Sequence, residues 1–475
     1  MKTAHLDSNP YIATYREIMP DPEAFLACIG KPLPQTMHVN TLKTSREFVQ
    51  MELACHGIHA KPMAWHPAGL RVEGTAPSIG NLWTYQAGLY QTQEEASLIP
   101  ATLLDPQPGE RVLDLCAAPG GKTVQMAVMM QNTGTIIAND RSYQRIRALG
   151  HMIKRLGITN VATTARDGLT FPACREFFDK ILVDAPCTCD GTLRKQRRGH
   201  VAIQPDQKNS LAMSRMQLAL LRQAVSRVRP GGRIVYSTCT LAPEENEHVI
   251  HQLLNEYAGS ISLKPIALPG LQYSRGITRW NGETFDDSLK HSLRLWPHQN
   301  DSGGFFVAVL EKAGQAERVQ PEKQLTLPVN DPNVSIYLAS IQDRFGISDD
   351  ALQHFETTYN KRRGVSFLSK GMHIPTEVPV DSAGLFAIKT EMTHPKLSTP
   401  VAMMLAPFAT RHHIQLTREQ RDDYLARRDL VLTNEQRKQC GNTGYVMVSY
   451  AGIGLGLALY LSHRDQCQSL CPKSL

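Results

Sequence analysis

Between about Asn81 and Lys312, short β-branched runs alternate with stretches long enough for a helix, and this alternation leaves few folds open. The runs are RVLDL (Arg111 to Leu115), TIIAND (Thr135 to Asp140), VATTA (Val161 to Ala165), KILVDA (Lys180 to Ala185) and RIVYST (Arg233 to Thr238). Each is apolar at nearly every position rather than at alternate ones. A strand of that kind is buried on both faces, so the pattern predicts an α/β fold with a parallel sheet covered by helices on either side. GGFFVAVLE (Gly303 to Glu311) predicts one further strand.

The flanks read differently. MHVNTLKTSREFVQMELACHGI, from Met37, reads as a strand, a turn and a helix with apolar residues at Phe48, Met51, Leu53 and Ile58. Residues 1–80 are therefore expected to form a small N-terminal α/β module, and 81–312 the main domain. Ala313 to Asn333 is polar and contains proline, which predicts a linker. Helical patterns follow near Val334 to Phe345 and Asp349 to Tyr359, so 313–377 is read as linker and helices. From 378 to 475 strands return, with GLFAI near Gly384 and GYVMVSYAGIGLGLALYLS from Gly444, the latter two strands joined by a Gly-rich turn.

Composition narrows the partners and the compartment. A hydrophobic fraction of 42% with 20% charged residues fits a soluble globular chain of two or three domains. The net charge of +7 permits a nucleic-acid partner without demanding one. No run is apolar for long enough to span a bilayer, and Met1 to Pro20 carries no signal-peptide core, so a cytoplasmic protein without a membrane partner is expected. Ten unevenly spaced cysteines do not form a disulfide framework, which leaves thiols free for chemistry.

VLDLCAAPGGKT (Val112 to Thr123) is a strand, a Gly-rich turn and the start of a helix near Lys122. In open α/β sheets ligands bind beyond the carboxyl ends of the strands. Gly120 and Gly121 let backbone approach a ligand, and the free N–H groups of the helix start suit an anion such as the carboxylate of S-adenosyl-L-methionine. The tail GGKT imitates a phosphate loop, but Cys116 stands where that pattern requires its first glycine. Asp140 ends the second strand, placed to accept bonds from ribose hydroxyls. Asp167 follows the third, within reach of an adenine amino group, and Asp184 ends the fourth.

Two strand ends also carry cysteine. DAPCTCDGTLRK (Asp184 to Lys195) places Cys187 after the fourth strand, and YSTCTLAPEENE (Tyr236 to Glu247) places Cys239 after the fifth. Parallel neighbours would aim both thiols into one cleft. A thiolate adding to C6 of cytosine converts C5 into a nucleophile towards a methyl sulfonium, and a second thiol can assist the release that follows. Asp184 can hydrogen-bond the cytosine amino edge. A zinc site is the poorer reading, because Cys187 and Cys189 have no second pair nearby in sequence. Arg194, Lys195, Arg197 and Arg198 follow Cys187 and would bind phosphate and lower a thiol pKa.

Taken together, YQTQEEASLIP (Tyr90 to Pro100), DLCAAPGGKT, the AND ending at Asp140, the RDG around Asp167, DAPCTCDGTLRK, RPGGRIVYSTCTLAPEENE (Arg229 to Glu247) and RLWPHQNDSGGFFVA (Arg294 to Ala308) resemble the RNA cytosine-C5 methyltransferases, a family containing bacterial 16S ribosomal RNA enzymes and the eukaryotic Nop2/Sun proteins. The resemblance covers about half the chain. It implies a class I S-adenosylmethionine-dependent methyltransferase fold, Rossmann-like with a mostly parallel sheet. It makes Cys239 the nucleophile and gives Cys187 the release step. It assigns Cys116, Ala117, Ala118, Pro119, Gly120, Gly121, Lys122, Asp140, Asp167 and Asp184 to the cofactor. It also implies that the N-terminal module helps to bind RNA. The chain departs from many bacterial relatives at Thr188 and Cys189, where Ser-Gly or Gly-Gly stands.

DGTLRK looks closer to tRNA-type members, whereas the length and the C-terminal strand pair look like 16S-type enzymes with a PUA-like RNA-binding tail. The RNA expected is therefore ribosomal, free or within a ribosomal subunit, with tRNA as the alternative, and a monomer is expected. Two other classes compete: a nucleotide hydrolase using the GGKT turn, and a non-catalytic RNA-binding protein on a methyltransferase fold.

Overall fold

The computed structural model describes residues 9–195, 204–315, 332–360, 364–390 and 396–472. Near the N-terminus, β1 (Thr36–Val39), β2 (Ala60–Met63), β3 (His66–Val72) and β4 (Tyr90–Thr92) form an antiparallel sheet in the order β2-β3-β1-β4. The sheet thus takes its last strand from beyond residue 80. The helix Arg46–Ala54 follows β1, capped by Ser45, whose side chain accepts from Phe48 N.

The largest sheet contains β5 (Arg111–Asp114), β6 (Thr135–Asn139), β7 (Val161–Thr164), β8 (Phe178–Asp184), β9 (Val228–Thr238), β10 (Ile261–Lys264) and β11 (Ser274–Arg275). A separate hairpin pairs β12 (Arg279–Trp280) with β13 (Glu283–Thr284). Next come β14 (Leu293–Leu295) and β15 (Phe305–Lys312). The sheet order is β11-β14-β15-β9-β8-β5-β6-β7, extended past β7 by a short strand from the C-terminal region, and β10 pairs with β15. From β9 to β7 all neighbours are parallel, and β15 lies antiparallel to β9. The order reverses between β5 and β8, the kind of point at which open α/β sheets bind ligands beyond the carboxyl ends of the strands.

Alternate residues of these strands feed two separate cores. Val112, Ile136, Leu182, Val235 and Val307 pack on one face, with the helix Tyr143–Leu156. Leu113, Ile137, Ile181, Ile234 and Phe306 pack on the other, with the helices Gln207–Arg227 and Glu247–Glu256. Both faces are dry, which accounts for the uninterrupted apolar runs in the sequence. Tyr143–Leu156 also shows why a helix forms where it does. Ser142 caps its start by accepting from Arg145 N, Lys154 and Arg155 oppose the dipole in its last turn, and Gly157 closes it in a left-handed conformation.

Beyond the linker, of which residues 316–331 lie outside the described residues, the helices Pro332–Phe345 and Asp349–Leu352 precede β16 (Phe355–Asn360) and β17 (Gly364–Ser369). The helical pattern expected to reach Tyr359 therefore ends at Leu352. From Phe355 the chain is extended, because Phe355, Thr357 and Tyr359 find partners across β17 that local periodicity does not reveal. β18 (Ser382–Ala383) joins the edge of the largest sheet at β7. β16 and β17 continue into β19 (Leu385–Lys389) and β20 (Lys396–Leu397), which complete one small sheet. A second small sheet contains β21 (His413–Gln415), β22 (Gly444–Tyr450), β23 (Ile453–Leu461) and β24 (Gln466–Ser469). β22 and β23 are the strand pair expected around the Gly-rich turn. No helix among the described residues is long and apolar enough to cross a membrane.

Candidate active site

β5 delivers the Gly-rich turn to the cleft, and the helix after it begins at Gly121 with Gly120 as its cap. Gly120 has φ +116, and a Cβ there would meet Leu149 Cδ1 at 2.4 Å, so only glycine lets the turn lie against the helix Tyr143–Leu156. The free N–H groups of the nine-residue helix Gly121–Met129 start beside this turn. Ala117 and Ala118 are buried, Pro119 is exposed, and the Cys116 thiol is raised well above its ordinary range, first by burial and then by Asp114, Asp184 and Asp140.

Asp114, which sequence reading passed over as an ordinary strand residue, is the most perturbed carboxylate beside that turn. It is buried, and Oδ2 accepts from Thr123 Oγ1 at 2.7 Å while Oδ1 has no partner. Burial pushes its pKa up to about 7 against the pull of the Thr123 bond. An unpartnered carboxylate oxygen beside a glycine cradle fits a ligand carrying both a cation and a carboxylate, as S-adenosyl-L-methionine does.

The other expected cofactor carboxylates differ among themselves. Asp140 is buried at the end of β6, where Oδ1 accepts from Ser142 N at 2.9 Å and Oδ2 pairs with Arg145 at 3.1 Å. Asp167 is exposed and caps a short turn by accepting from Leu169 N at 2.9 Å. Asn139, also unforeseen, pins the rim: its side chain donates to Leu115 O and Arg166 O and accepts from Arg166 N.

Asp184 connects the two halves of the site. Its Oδ2 accepts from Lys122 Nζ at 2.7 Å and its Oδ1 from Ser237 Oγ at 2.7 Å. Lys122 also donates to Ser97 Oγ at 2.9 Å. Burial alone would depress this ammonium, but Asp184 outweighs it and holds the pKa above the ordinary lysine value.

The thiols sit next to this pair. β8 and β9 are parallel neighbours with Asp184 opposite Ser237, so the chain leaves both strands side by side. Cys187 Sγ and Cys239 Sγ lie 3.3 Å apart. Cys189 Sγ, to which sequence reading gave no role, lies 3.5 Å from Cys239 and 3.7 Å from Cys187. Hydrogen bonds from Cys187 and Cys239 draw the Cys189 pKa down to about 3. Cys187 is pushed well up by its bonds to Cys189 and Cys239 and by burial. The bond from Cys187 favours the Cys239 thiolate, but the bond to Cys189 and burial outweigh it and raise Cys239.

A buried polar frame fixes the two cysteine loops. Glu245 accepts from Thr188 N at 3.1 Å and from Gln217 Nε2 at 2.7 Å, and Thr188 Oγ1 meets Thr240 Oγ1 at 2.9 Å. Asp190 accepts from Thr240 Oγ1, Leu241 N and, across 175 residues of chain, Tyr15 Oη at 2.6 Å. Gly191 N donates to Cys239 O at 3.0 Å. The expectation that Arg194 sits at the cleft as a phosphate-binding cation is corrected: its side chain is fully buried and donates to Lys31 O, Pro32 O, Ser302 O and Asp301. Lys195 lies 3.6 Å from Glu94, and Arg197 and Arg198 fall outside the described residues.

The family described as 16S rRNA methyltransferase RsmB/F matches residues 101–311. The ribosomal RNA small subunit methyltransferase F of Shewanella denitrificans is 31% identical over 93% of this chain and 92% of its own length. The tRNA (cytosine(49)-C(5))-methyltransferase of Pyrococcus abyssi is 36% identical over 62% of this chain and 92% of its own. The human 28S rRNA (cytosine(4447)-C(5))-methyltransferase is 37% identical, but the chain spans only 35% of that protein's length. A solved methyltransferase homologue from Pyrococcus horikoshii superposes with a TM-score of 0.56 at 32% identity, covering 66% of this chain and 97% of the other. The chain therefore belongs to the RNA cytosine-C5 methyltransferases, enzymes whose methyl donor is S-adenosyl-L-methionine.

Proposed function

We propose that the chain methylates carbon 5 of a cytosine in ribosomal RNA of the small subunit, through a covalent bond between Cys239 and C6. The observation that carries the reading is the 3.3 Å separation of Cys187 and Cys239 at the ends of two parallel neighbours. Two thiols so placed serve one base from one side. Bound S-adenosyl-L-methionine supplies the electrophilic methyl group. Cys116 to Lys122 and Asp140 hold it, with Asp167 at the adenine end and Asp184 between cofactor and base.

Cys239 loses its proton within the thiol cluster and adds to C6, and the electron pair moves towards C5, which takes the methyl group. Asp184 holds the amino edge of the base and favours uptake of a solvent proton at N3 as the thiolate adds, and N3 returns that proton to solvent when the C6–S bond breaks. Cys187 relays the C5 proton, accepting it as its own passes to water, while the C6–S bond breaks and returns the electrons to Cys239. Lys122 holds Asp184 in orientation through its 2.7 Å contact, and the Glu245 and Asp190 frame holds both thiols without reorganisation.

A small-subunit RNA is favoured over tRNA because the relative matching nine-tenths of this chain acts on it, whereas the tRNA enzyme matches only 62%. The C-terminal strands from 378 onward then form a PUA-like RNA-binding domain that works with the 1–80 module. The chain acts in the cytoplasm as a monomer. Cys239→Ala abolishes transfer, and Cys187→Ala accumulates a protein–RNA adduct seen as a shifted band on a denaturing gel. An adduct with Cys239→Ala instead reverses the roles. Bisulfite sequencing of total RNA with and without the gene names the nucleotide, and a lost methylcytosine in tRNA overturns the ribosomal assignment.

A further inference from the structure

The two-thiol scheme leaves Cys189 without work. It is half-buried, and its φ of +62 places it in a left-handed conformation that favours glycine. That turn carries its sulfur back over the loop, where Sγ also contacts Cys187 O at 3.3 Å. The result is a triangle of sulfurs with edges of 3.3, 3.5 and 3.7 Å. Sulfurs bound to one tetrahedral zinc at about 2.3 Å stand roughly 3.8 Å apart. The triangle therefore needs to open by only a few tenths of an ångström to close on such an ion. Sequence spacing argues against this site because Cys187 and Cys189 lack a second pair nearby. The fold supplies the missing ligand from the end of β9.

We propose that Cys187, Cys189 and Cys239 form a binding site for a thiophilic d10 cation of the zinc class, and that occupancy silences the enzyme by engaging its nucleophile. Thiolates are the ligands such ions prefer over Mg²⁺ or Ca²⁺. Thiols still protonated give their protons to solvent as their metal–sulfur bonds form, so binding strengthens as pH rises. Three ligands leave the fourth position of a tetrahedral ion to water. The frame is already built: Thr188 and Asp190, on either side of Cys189, are both held by buried carboxylate hydrogen bonds. Lys195 and Arg145 contribute positive potential at Cys189, which offsets the net negative charge of a dication with three thiolates.

Metal binding stands on the sulfur geometry alone, whereas the silencing rests on the proposed role of Cys239. The test uses the full chain, metal-free and kept reduced by a phosphine. Zn²⁺ is titrated by calorimetry and Cd²⁺ by its ultraviolet thiolate band. One ion per chain is expected, with three sulfurs in X-ray absorption. Cys189→Gly, which suits the backbone, and Cys189→Ser, which keeps its shape, each weaken binding by more than about 100-fold, beyond the loss that an outer-shell partner causes. Stoichiometric Zn²⁺ inhibits methyl transfer by the unsubstituted chain, a chelator restores it, and Cys189→Gly needs far more Zn²⁺ relative to its own metal-free rate. Unchanged affinity in both variants, or fewer than three sulfurs around the ion, overturns the inference and leaves the methyltransferase reading untouched. A metal-free chain that transfers no methyl group defeats that reading and leaves the binding arm standing.

Discussion

Arg294 and Glu247 form an ion pair with both side chains almost completely buried beneath the loop that carries Cys239. Arg294 Nε donates to Glu247 Oε1 at 3.0 Å, Nη2 reaches Oε2 at 2.5 Å, and Nη1 donates to Leu241 O at 2.6 Å. Glu247 Oε1 also accepts from Ile277 N. Arg294→Met leaves a buried carboxylate without its cation, a loss of about 3–5 kcal/mol. The stranded Leu241 carbonyl adds roughly 1 kcal/mol, so the expected destabilisation is about 4–6 kcal/mol. With a urea slope of about 3 kcal/mol/M for a domain of this size, the midpoint falls by up to about 2 M. The double variant Arg294→Met/Glu247→Leu removes both charges together. It recovers most of the loss, because a buried pair is worth little more than an apolar replacement. Urea unfolding followed by fluorescence and by circular dichroism measures all three differences, and coincidence of the two signals tests for a single transition. A single-variant loss below about 1 kcal/mol, or a double variant no better than the sum of its singles, refutes the burial reasoning.

Gly120→Ala drives a methyl into Leu149 at a positive φ, and we expect a loss of about 2–4 kcal/mol together with calorimetrically measured loss of S-adenosyl-L-methionine binding. Asp114 has a folded pKa near 7 against roughly 3.9 unfolded, so its share of stability is complete below the unfolded value and disappears as pH climbs through about 7. Melting across pH 5 to 8 checks that sign, the slope vanishing in Asp114→Asn. Binding of the cationic cofactor, by calorimetry, strengthens over pH 6 to 8 as Asp114 ionises, and this trend too is absent from Asp114→Asn. Tyr15→Phe removes one of three donors to buried Asp190, and a loss of about 1–3 kcal/mol in urea unfolding is expected.

What the sequence disclosed follows the range of the forces involved. β5 to β9 were legible because a strand dry on both faces must be apolar throughout, whatever its neighbours. β14 and β18 were not, since strands of three and two residues exist only through partners distant in sequence. The same division runs through the site. The cysteines and the Gly-rich turn announce themselves by residue type, because no common structural role explains those residues in that pattern. Glu245 and Asp190 stand inside motifs that were read, but their work lies in bonds to Thr188, Gln217, Thr240 and Tyr15, which no spacing reveals. Arg194 was misjudged for the same reason: a cation in a basic run reads as solvated until the carbonyls that bury it are placed around it.

That buried frame bears directly on the proposed two-thiol catalysis. Two thiols 3.3 Å apart on flexible loops would spend most of their time elsewhere, and each would lose ordering entropy at the moment of reaction. Here the loops are ordered in advance by carboxylates that the chemistry never touches: Glu245 below Thr188, Asp190 below Thr240, and Glu247 holding Arg294 against Leu241. Because Tyr15 reaches Asp190 from the helix Pro10–Tyr15, this N-terminal segment is mechanically part of the same frame. Cys189 is subject to the same ordering. A loop rigid enough to hold two sulfurs at close range also holds the third beside them, which is why a residue outside the proposed methylation scheme lies 3.5 Å from one and 3.7 Å from the other.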